Sequence, residues 1–277
     1  SSIAMLEDYR RYPIGIQNFE QLRNNNCVYV DKTELVYRLT HTDQVYFLSR
    51  PRRFGKSLLV STLEAYFQGK KDLFRGLAME RLEQDWESYP VLHIDFSISK
   101  YLSAHYLRSA INWFLERWER EYGCCVEDKK GTPFSVRLGN VIESAYKKTG
   151  KAVVVLVDEY DSPMLDTNSD VALQGELRGI MRDFFSPLKG MGQYLRFLFI
   201  TGISKFSQMS IFSELNNLQN ISMRDDFSAI CGTPEEALAQ IDSKQYAVPY
   251  QADGRRVVKV GVNFDSATRT IGEWIVR

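Results

Sequence analysis

Apolar stretches in this chain end repeatedly on polar or acidic residues. Residues 44–50 (QVYFLSR) read as a buried strand that turns polar at Ser49 and Arg50. Residues 90–97 (PVLHIDFS) stay apolar until Asp95, and 152–163 (AVVVLVDEYDSP) run β-branched up to Asp158 and Glu159. Residues 195–207 (LRFLFITGISKFS) turn polar at Thr201. Uninterrupted apolar runs of this kind mark strands covered on both faces. Between them, Leu107, Ile111, Phe114, Leu115, Trp118 and Tyr122 recur at helical spacing over 104–122. Further helices are expected from about Lys56 to Phe67, over 134–149 up to Gly150, and over 172–187. Residues 27–39 (CVYVDKTELVYRL) read as a short strand followed by a helix, and the Trp113/Phe114/Trp118 stripe reads as packing.

Strands alternating with helices predict an α/β fold, a mostly parallel sheet in a three-layer αβα arrangement. In such sheets ligands sit beyond the carboxyl ends of the strands. Ser49/Arg50, Asp95, Asp158/Glu159 and Thr201 all fall at that edge. The pattern changes after Gly232. Residues 233–246 (TPEEALAQIDSKQY) open like a helix, with a capping hydroxyl, a first-turn proline and then acids. Residues 255–264 (RRVVKVGVNF) read as an alternating strand after a turn at Ala252-Asp253-Gly254. The expected division is therefore 1–232 for the α/β domain and 233–277 for a small α/β fragment.

Composition narrows the function. With 44% apolar residues among 277, a sizeable core is available. The 35 basic and 35 acidic residues cancel, which argues against a globally basic nucleic-acid coat but leaves a local basic groove open. Cys27, Cys124, Cys125 and Cys231 show no CxxC spacing, so neither a disulfide framework nor a zinc ribbon is expected and a reducing cytoplasm is the simplest reading. No signal-peptide core stands in the first thirty residues, and the aliphatic runs are too short to span a membrane.

The candidate chemistry begins at residues 50–57, RPRRFGKS. The usual phosphate loop is G-x-x-x-x-G-K-[ST], and Gly55, Lys56 and Ser57 match it while Arg50 takes the first glycine's place. Such a loop needs backbone N–H groups around an anion, a lysine point charge and a hydroxyl for Mg²⁺. A left-handed backbone at Arg50 would cost roughly 1–2 kcal/mol relative to glycine. One lysine–phosphate contact is worth on the order of 4 kcal/mol at an effective dielectric near 20, so the deviation is tolerable. Taken alone, the loop could equally be a basic turn capping a helix.

The acidic strand end shifts the balance. Phosphoryl-transfer ATPases place a carboxylate at the end of an apolar strand to hold Mg²⁺, and Asp158 supplies it. Glu159 is the candidate to activate the attacking water. Thr201 or Ser204 could bond the γ-phosphate or that water, or merely cap a strand end. Asp95 reads as a strand terminus before a secondary acid, and Arg52 and Arg53 as facing either phosphate, nucleic acid or solvent. His41, His93 and His105 have no ligand-like spacing.

Four segments in order, YPIGIQNFEQLRNNNCVYVDKTELVYRL, FLSRPRRFGKSLLVSTLEAYF, VVLVDEYDSP and FLFITGISKFSQMSIFSELNNLQNIS, resemble the bacterial AAA-ATPase-like family over residues 10–232. Its P-loop ATPase domain is typically followed by a PD-(D/E)xK nuclease-like domain. The resemblance implies ATP and Mg²⁺ as cofactors. Arg50, Pro51, Arg52, Arg53, Phe54, Gly55, Lys56, Ser57 and Leu58 would line the nucleotide. Ser57 and Asp158 would hold the metal, with Glu159, Lys56 and Thr201 catalytic. Residues 233–277 look like the end of the nuclease-like domain, without the strands that carry its D…E-x-K residues, and Gln240 and Lys244 could border that site in a complete protein. In the family a long stretch separates the segments that here meet at Gly232 and Thr233, so either residues are missing or the protein carries a deletion.

The leading expectation is thus an ATP-binding, Mg-dependent hydrolase that switches an attached module or partner. The alternatives are an ATP-regulated nuclease acting on nucleic acid, and a nucleotide-binding interaction module without turnover. A protein partner or a homo-oligomer fits each of these, and no membrane is implied. A small-molecule phosphotransferase ranks lowest, because its sheet would not usually insert a strand between the loop strand and the acidic strand.

Overall fold

A computed structural model describes residues 16–51, 54–124, 126–167, 170–203, 211–213, 215, 217–222 and 224–232, with the backbone alone at 225, 260–265 and 270–276. Two short helical segments, α1 (Phe19–Asn24) and α2 (Thr33–Thr42), lead into β1 (Val45–Ser49). Then come α3 (Lys56–Phe67), α4 (Ala78–Leu82), β2 (Val91–Asp95), α5 (Ala104–Tyr122) and α6 (Phe134–Thr149). The chain continues through β3 (Val153–Asp158), α7 (Ser162–Leu165), α8 (Val171–Phe185), β4 (Leu195–Gly202) and β5 (Gln219–Asn220). A hairpin of β6 (Val260–Asp265) and β7 (Thr270–Val276) pairs antiparallel.

The main sheet has five strands in the order β2-β3-β4-β1-β5, every pairing parallel. All its carboxyl ends therefore share one edge, as the polar strand ends require. β4 lies between the loop strand β1 and the acidic strand β3, the insertion that weighs against a small-molecule phosphotransferase.

Strand side chains alternate between faces. Leu92, Ile94, Val155, Val157, Leu198 and Ile200 pack on one side with α5, α6 and α8. Tyr46, Leu48, Val154, Leu156, Phe197 and Phe199 pack on the other, against Leu59, Val60, Leu63 and Phe67 of α3. The same parity puts Asp158 and Thr201 on the α3 side of the sheet. Burial on both faces explains why β1, β3 and β4 read as continuous apolar runs.

Three expectations need correction. Residues 28–32 form no strand; Cys27 makes an isolated bridge, and Tyr29 turns its ring onto Phe19. The outer side of β1 is taken instead by β5. Trp113 is half-exposed, whereas Phe114 and Trp118 are buried. Neighbouring helix positions point about 100° apart, so Trp113 and Phe114 cannot both face the core; Arg117 stacks over the Trp113 ring. The helix expected over 172–187 ends at Phe185 and tightens into a 3₁₀ turn from Ser186, at Pro187. The helix expected from Thr233, the turn at 252–254 and the first half of the 255–264 strand lie outside the described residues.

Candidate functional site

At the carboxyl edge the register lines up one row of residues. Asp95 is the parallel partner of Asp158, Val157 that of Ile200, and Leu48 that of Thr201. Asp158, the last residue of β3, and Thr201, the last but one of β4, thus lie on one face over the start of α3, whose first residues are Lys56 and Ser57. Gly55, with φ 77°, supplies the left-handed turn that starts the helix.

Contacts among these residues form a continuous chain. The Lys56 ammonium lies 3.2 Å from Oε1 of Glu159, with side chains 2% and 15% exposed. The Glu159 backbone N–H donates to Oγ1 of Thr201 at 3.4 Å, and the Thr201 hydroxyl donates to Oδ1 of Asp158 at 2.5 Å. Thr201 therefore accepts on one side and donates on the other, which sets its proton. Asp158 and Thr201 are both buried. Lys56 also donates to the carbonyls of Arg50 and Pro51, each at 3.0 Å. The lysine draws the loop backbone around itself while reaching the acidic strand end.

Glu159 is one of three described non-glycine residues with positive φ, at 53°. A left-handed glutamate costs of order 1–3 kcal/mol, and such strain collects at functional positions. The surroundings hold it there. The N–H of Tyr160 donates to the Thr201 carbonyl, and buried Asp161 accepts from the N–H of Ile203 at 3.0 Å. A β-carbon at Gly202 would come 2.3 Å from the Tyr160 ring, so β4 can approach this turn only with glycine there.

Ser57 is half-buried on the first turn of α3. The Leu58 carbonyl accepts the hydroxyls of Ser61 and Thr62, stiffening the next turn. Phe54 is half-buried at the bend before Gly55. Arg52, Arg53 and Ser204 lie outside the described residues, as do Gln240 and Lys244. Asp95 uses a carboxylate oxygen to cap the N–H of Ser97, the strand-terminus reading.

Arg50 behaves differently from the glycine it replaces. Its φ is not positive, so it carries no left-handed strain, and its N–H donates to the Gly202 carbonyl, extending the β1–β4 ladder by one residue. Its buried guanidinium donates to the carbonyls of Ser49 and Ser222. Ser222 returns a second link, its hydroxyl accepting from the N–H of Ser49 at 2.8 Å. Nothing in the primary structure signals Ser222 or Asp161. Ser222 follows a two-residue strand too short to show a period, and Asp161 is masked by the acids before it.

Beneath the row, His93 of β2 contacts Glu64 of α3 at 2.8 Å. Burial pulls the imidazole pKa down, but the bond to Glu64 and its charge outweigh this, with Asp158 and Asp95 adding to the rise. Glu64 moves the other way. Burial favours its neutral form, and His93 overrides it to leave the carboxyl below its ordinary range.

Comparison with known sequences now decides the family. The profile described as Predicted AAA-ATPase matches residues 13–212. The chain belongs to the AAA-ATPase-like family. A profile of the PD-(D/E)XK nuclease superfamily matches residues 214–274, so the AAA-ATPase-like part is followed by a nuclease-superfamily segment. An uncharacterized protein encoded in the vnfD 5′ region of Azotobacter chroococcum mcd 1 is 40% identical over 228 residues, which is 82% of this chain and 43% of that relative. The chain therefore spans less than half the length of this relative. Within the described residues, β5 and the 3₁₀ turn at Asp225–Ile230 belong to the α/β body: β5 hydrogen-bonds β1, and Lys32 donates to the Ala229 carbonyl at 2.6 Å. No described helix is long and apolar enough to cross a membrane.

Proposed function

We propose that the α/β domain of this AAA-ATPase-like chain binds Mg·ATP and hydrolyses it, and that the cycle switches the segment beyond Gly232 or a partner. The observation that carries this reading is the chain Lys56–Glu159–Thr201–Asp158, which puts an ammonium, two carboxylates and an oriented hydroxyl at one strand edge. The loop from Arg50 to Leu58 would hold the phosphates, with Lys56 as the point charge. Ser57 and Asp158 offer a hydroxyl and a carboxylate, the sparse hard-oxygen set that suits Mg²⁺ when phosphates and water complete its shell. Bound there, the ion would neutralise charge developing on the transferred phosphoryl group.

The chain's own residues would do the rest. Glu159 takes the proton of the attacking water, from a backbone turn that fixes where its carboxylate swings. Thr201 orients Asp158 and, through the Glu159 N–H, the base as well. No covalent intermediate is required, because positioning and charge neutralisation suffice for phosphoryl transfer.

We place the domain boundary at Gly232/Thr233, since the described fold continues through Cys231, which is buried against the α3 side. The nuclease-superfamily match supports an ATP-regulated action on nucleic acid by a more complete protein as the second reading. Free thiols at Cys27 and Cys124 support a cytoplasmic setting. The deciding experiment incubates the purified chain with Mg²⁺ and ATP and measures phosphate release alongside calorimetric binding. Release and heat are both expected. Heat without release, with or without DNA, would leave a binding module; neither would end the reading.

A further inference from the structure

The guanidinium of Arg50 stands where the usual loop has no side chain at all. By strand parity it lies on the α3 side of the sheet with Tyr46 and Leu48, and it is 8% exposed. It donates to the carbonyls of Ser49 and Ser222, which joins the end of β1 to the turn just after β5. The N–H of Ile221 donates to the Phe47 carbonyl at 3.0 Å, so this turn is itself held by the sheet. Meanwhile the Arg50 backbone is gripped by the Gly202 carbonyl on one side and the Lys56 ammonium on the other. The start of the loop is pinned from β4, from β5 and from α3.

We propose that Arg50 is a positioning residue for the phosphate loop: clasping Ser49 and Ser222, it shapes the cradle before the nucleotide arrives, so that restoring the customary glycine would impair this chain. The inference rests on the nucleotide reading above. A cradle that is already ordered binds without the cost of ordering it on contact, and that cost appears in affinity more than in turnover. Glycine at position 50 would remove the clasp and widen the backbone freedom of the loop together.

The test uses the full chain with Arg50→Gly, Arg50→Met and Arg50→Lys. Methionine fills the buried space without donors, and lysine keeps a cation able to reach one carbonyl. Mg·ATP affinity and phosphate release at saturating ATP are measured, with amide exchange at Phe54 to Ser57 recorded without nucleotide. Arg50→Gly and Arg50→Met are expected to weaken ATP binding by about tenfold, with saturated turnover held within about twofold and faster exchange in the loop. Arg50→Lys is expected to recover part of the affinity. Should the glycine variant fail to fold, the methionine variant carries the test.

Wild-type affinity in Arg50→Gly or Arg50→Met, with unchanged loop exchange, would overturn the proposal. If the wild type binds no ATP, the nucleotide reading fails by itself. Faster exchange in the variants would then still support the clasp, and unchanged exchange would remove both.

Discussion

Lys56 and Glu159 form an ion pair at 3.2 Å, joining the first residue of α3 to the residue after β3. The ammonium has three protons, and its three contacts among the described residues are this carboxylate and the carbonyls of Arg50 and Pro51. A phosphate on Lys56 must displace one of them, and only Glu159 belongs to a different element. Glu159→Gln is therefore expected to bind ATP at least as tightly as the wild type. Its phosphate release should fall by about 10²–10⁴-fold. Calorimetry beside a release assay checks both halves; undiminished turnover in this variant would remove Glu159 as the base.

Lys56→Met tests the other partner. Hydrogen bonds to charged groups contribute about 1.5–3 kcal/mol each. ATP affinity should drop by about ten- to a hundredfold. A thermal unfolding curve run in parallel guards against misfolding, because Glu159 loses its partner in the same stroke. Unaltered affinity would exclude the lysine from the phosphate site.

Thr201 is the hinge of the contact chain. Thr201→Val preserves shape but strips Asp158 of a donor and Glu159 of an acceptor, both in a buried place. Leaving such groups unpaired costs about 1–3 kcal/mol. Lower stability in urea is expected, with slower phosphate release, and Thr201→Ser should restore most of both. Equal behaviour of valine and serine would reduce Thr201 to packing.

Away from the site, Arg137 and Glu119 make a bidentate pair at 2.7 and 2.9 Å, the side chains 0% and 3% exposed. Asn112 accepts a further bond from Arg137 at 2.6 Å. Removing Arg137 leaves buried Glu119 with a 4.0 Å contact to Lys129 in place of that fork; breaking such a pair costs about 3–5 kcal/mol, whereas apolar replacement of both is often neutral. Arg137→Met should lose most of that stability in denaturant titration, and Arg137→Met with Glu119→Leu should regain much of it. A double variant no better than the single one would contradict this.

The His93–Glu64 contact sets a pH signature. His93 is raised above 6.5, so its contribution to stability is complete below 6.5 and is lost as pH climbs through the raised value. Glu64 is lowered below 4.5, so its contribution is complete above 4.5 and disappears as pH falls through the depressed value. The pair helps most between these limits. The stability gap between wild type and Glu64→Gln should narrow as pH climbs from 6.5 through the raised value, measured by urea midpoints. A gap constant over that range would show that His93 is not charged in the fold.

Much of this architecture is legible in the chain because burial on two faces writes long apolar runs. β1, β3 and β4 end where Ser49, Asp158 and Gly202 stand, and α3, α5 and α6 follow their periodicity. The juxtaposition of Lys56 with Glu159 follows from parallel strands sharing an edge. What stays hidden depends on contacts distant in sequence. β5 has two residues, Ser222 meets Ser49 and Arg50 more than 170 positions away, and neither leaves a pattern. Arg50 reads as a flawed glycine because a motif records residue types and not the direction of a side chain. The positive φ of Glu159 is likewise invisible, for nothing in the letters DEYD marks a left-handed residue.

Gly55 has one further neighbour. A β-carbon built there would lie 4.0 Å from the backbone nitrogen of Gly232. Gly232, the last described residue of this body, therefore stands right beside the loop. Tension on whatever is joined at that point would reach the loop within a few bonds, and a triphosphate pressing the loop outward would push on the same cord. If load at that point and binding at the loop are coupled, each changes the affinity for the other by the same free energy.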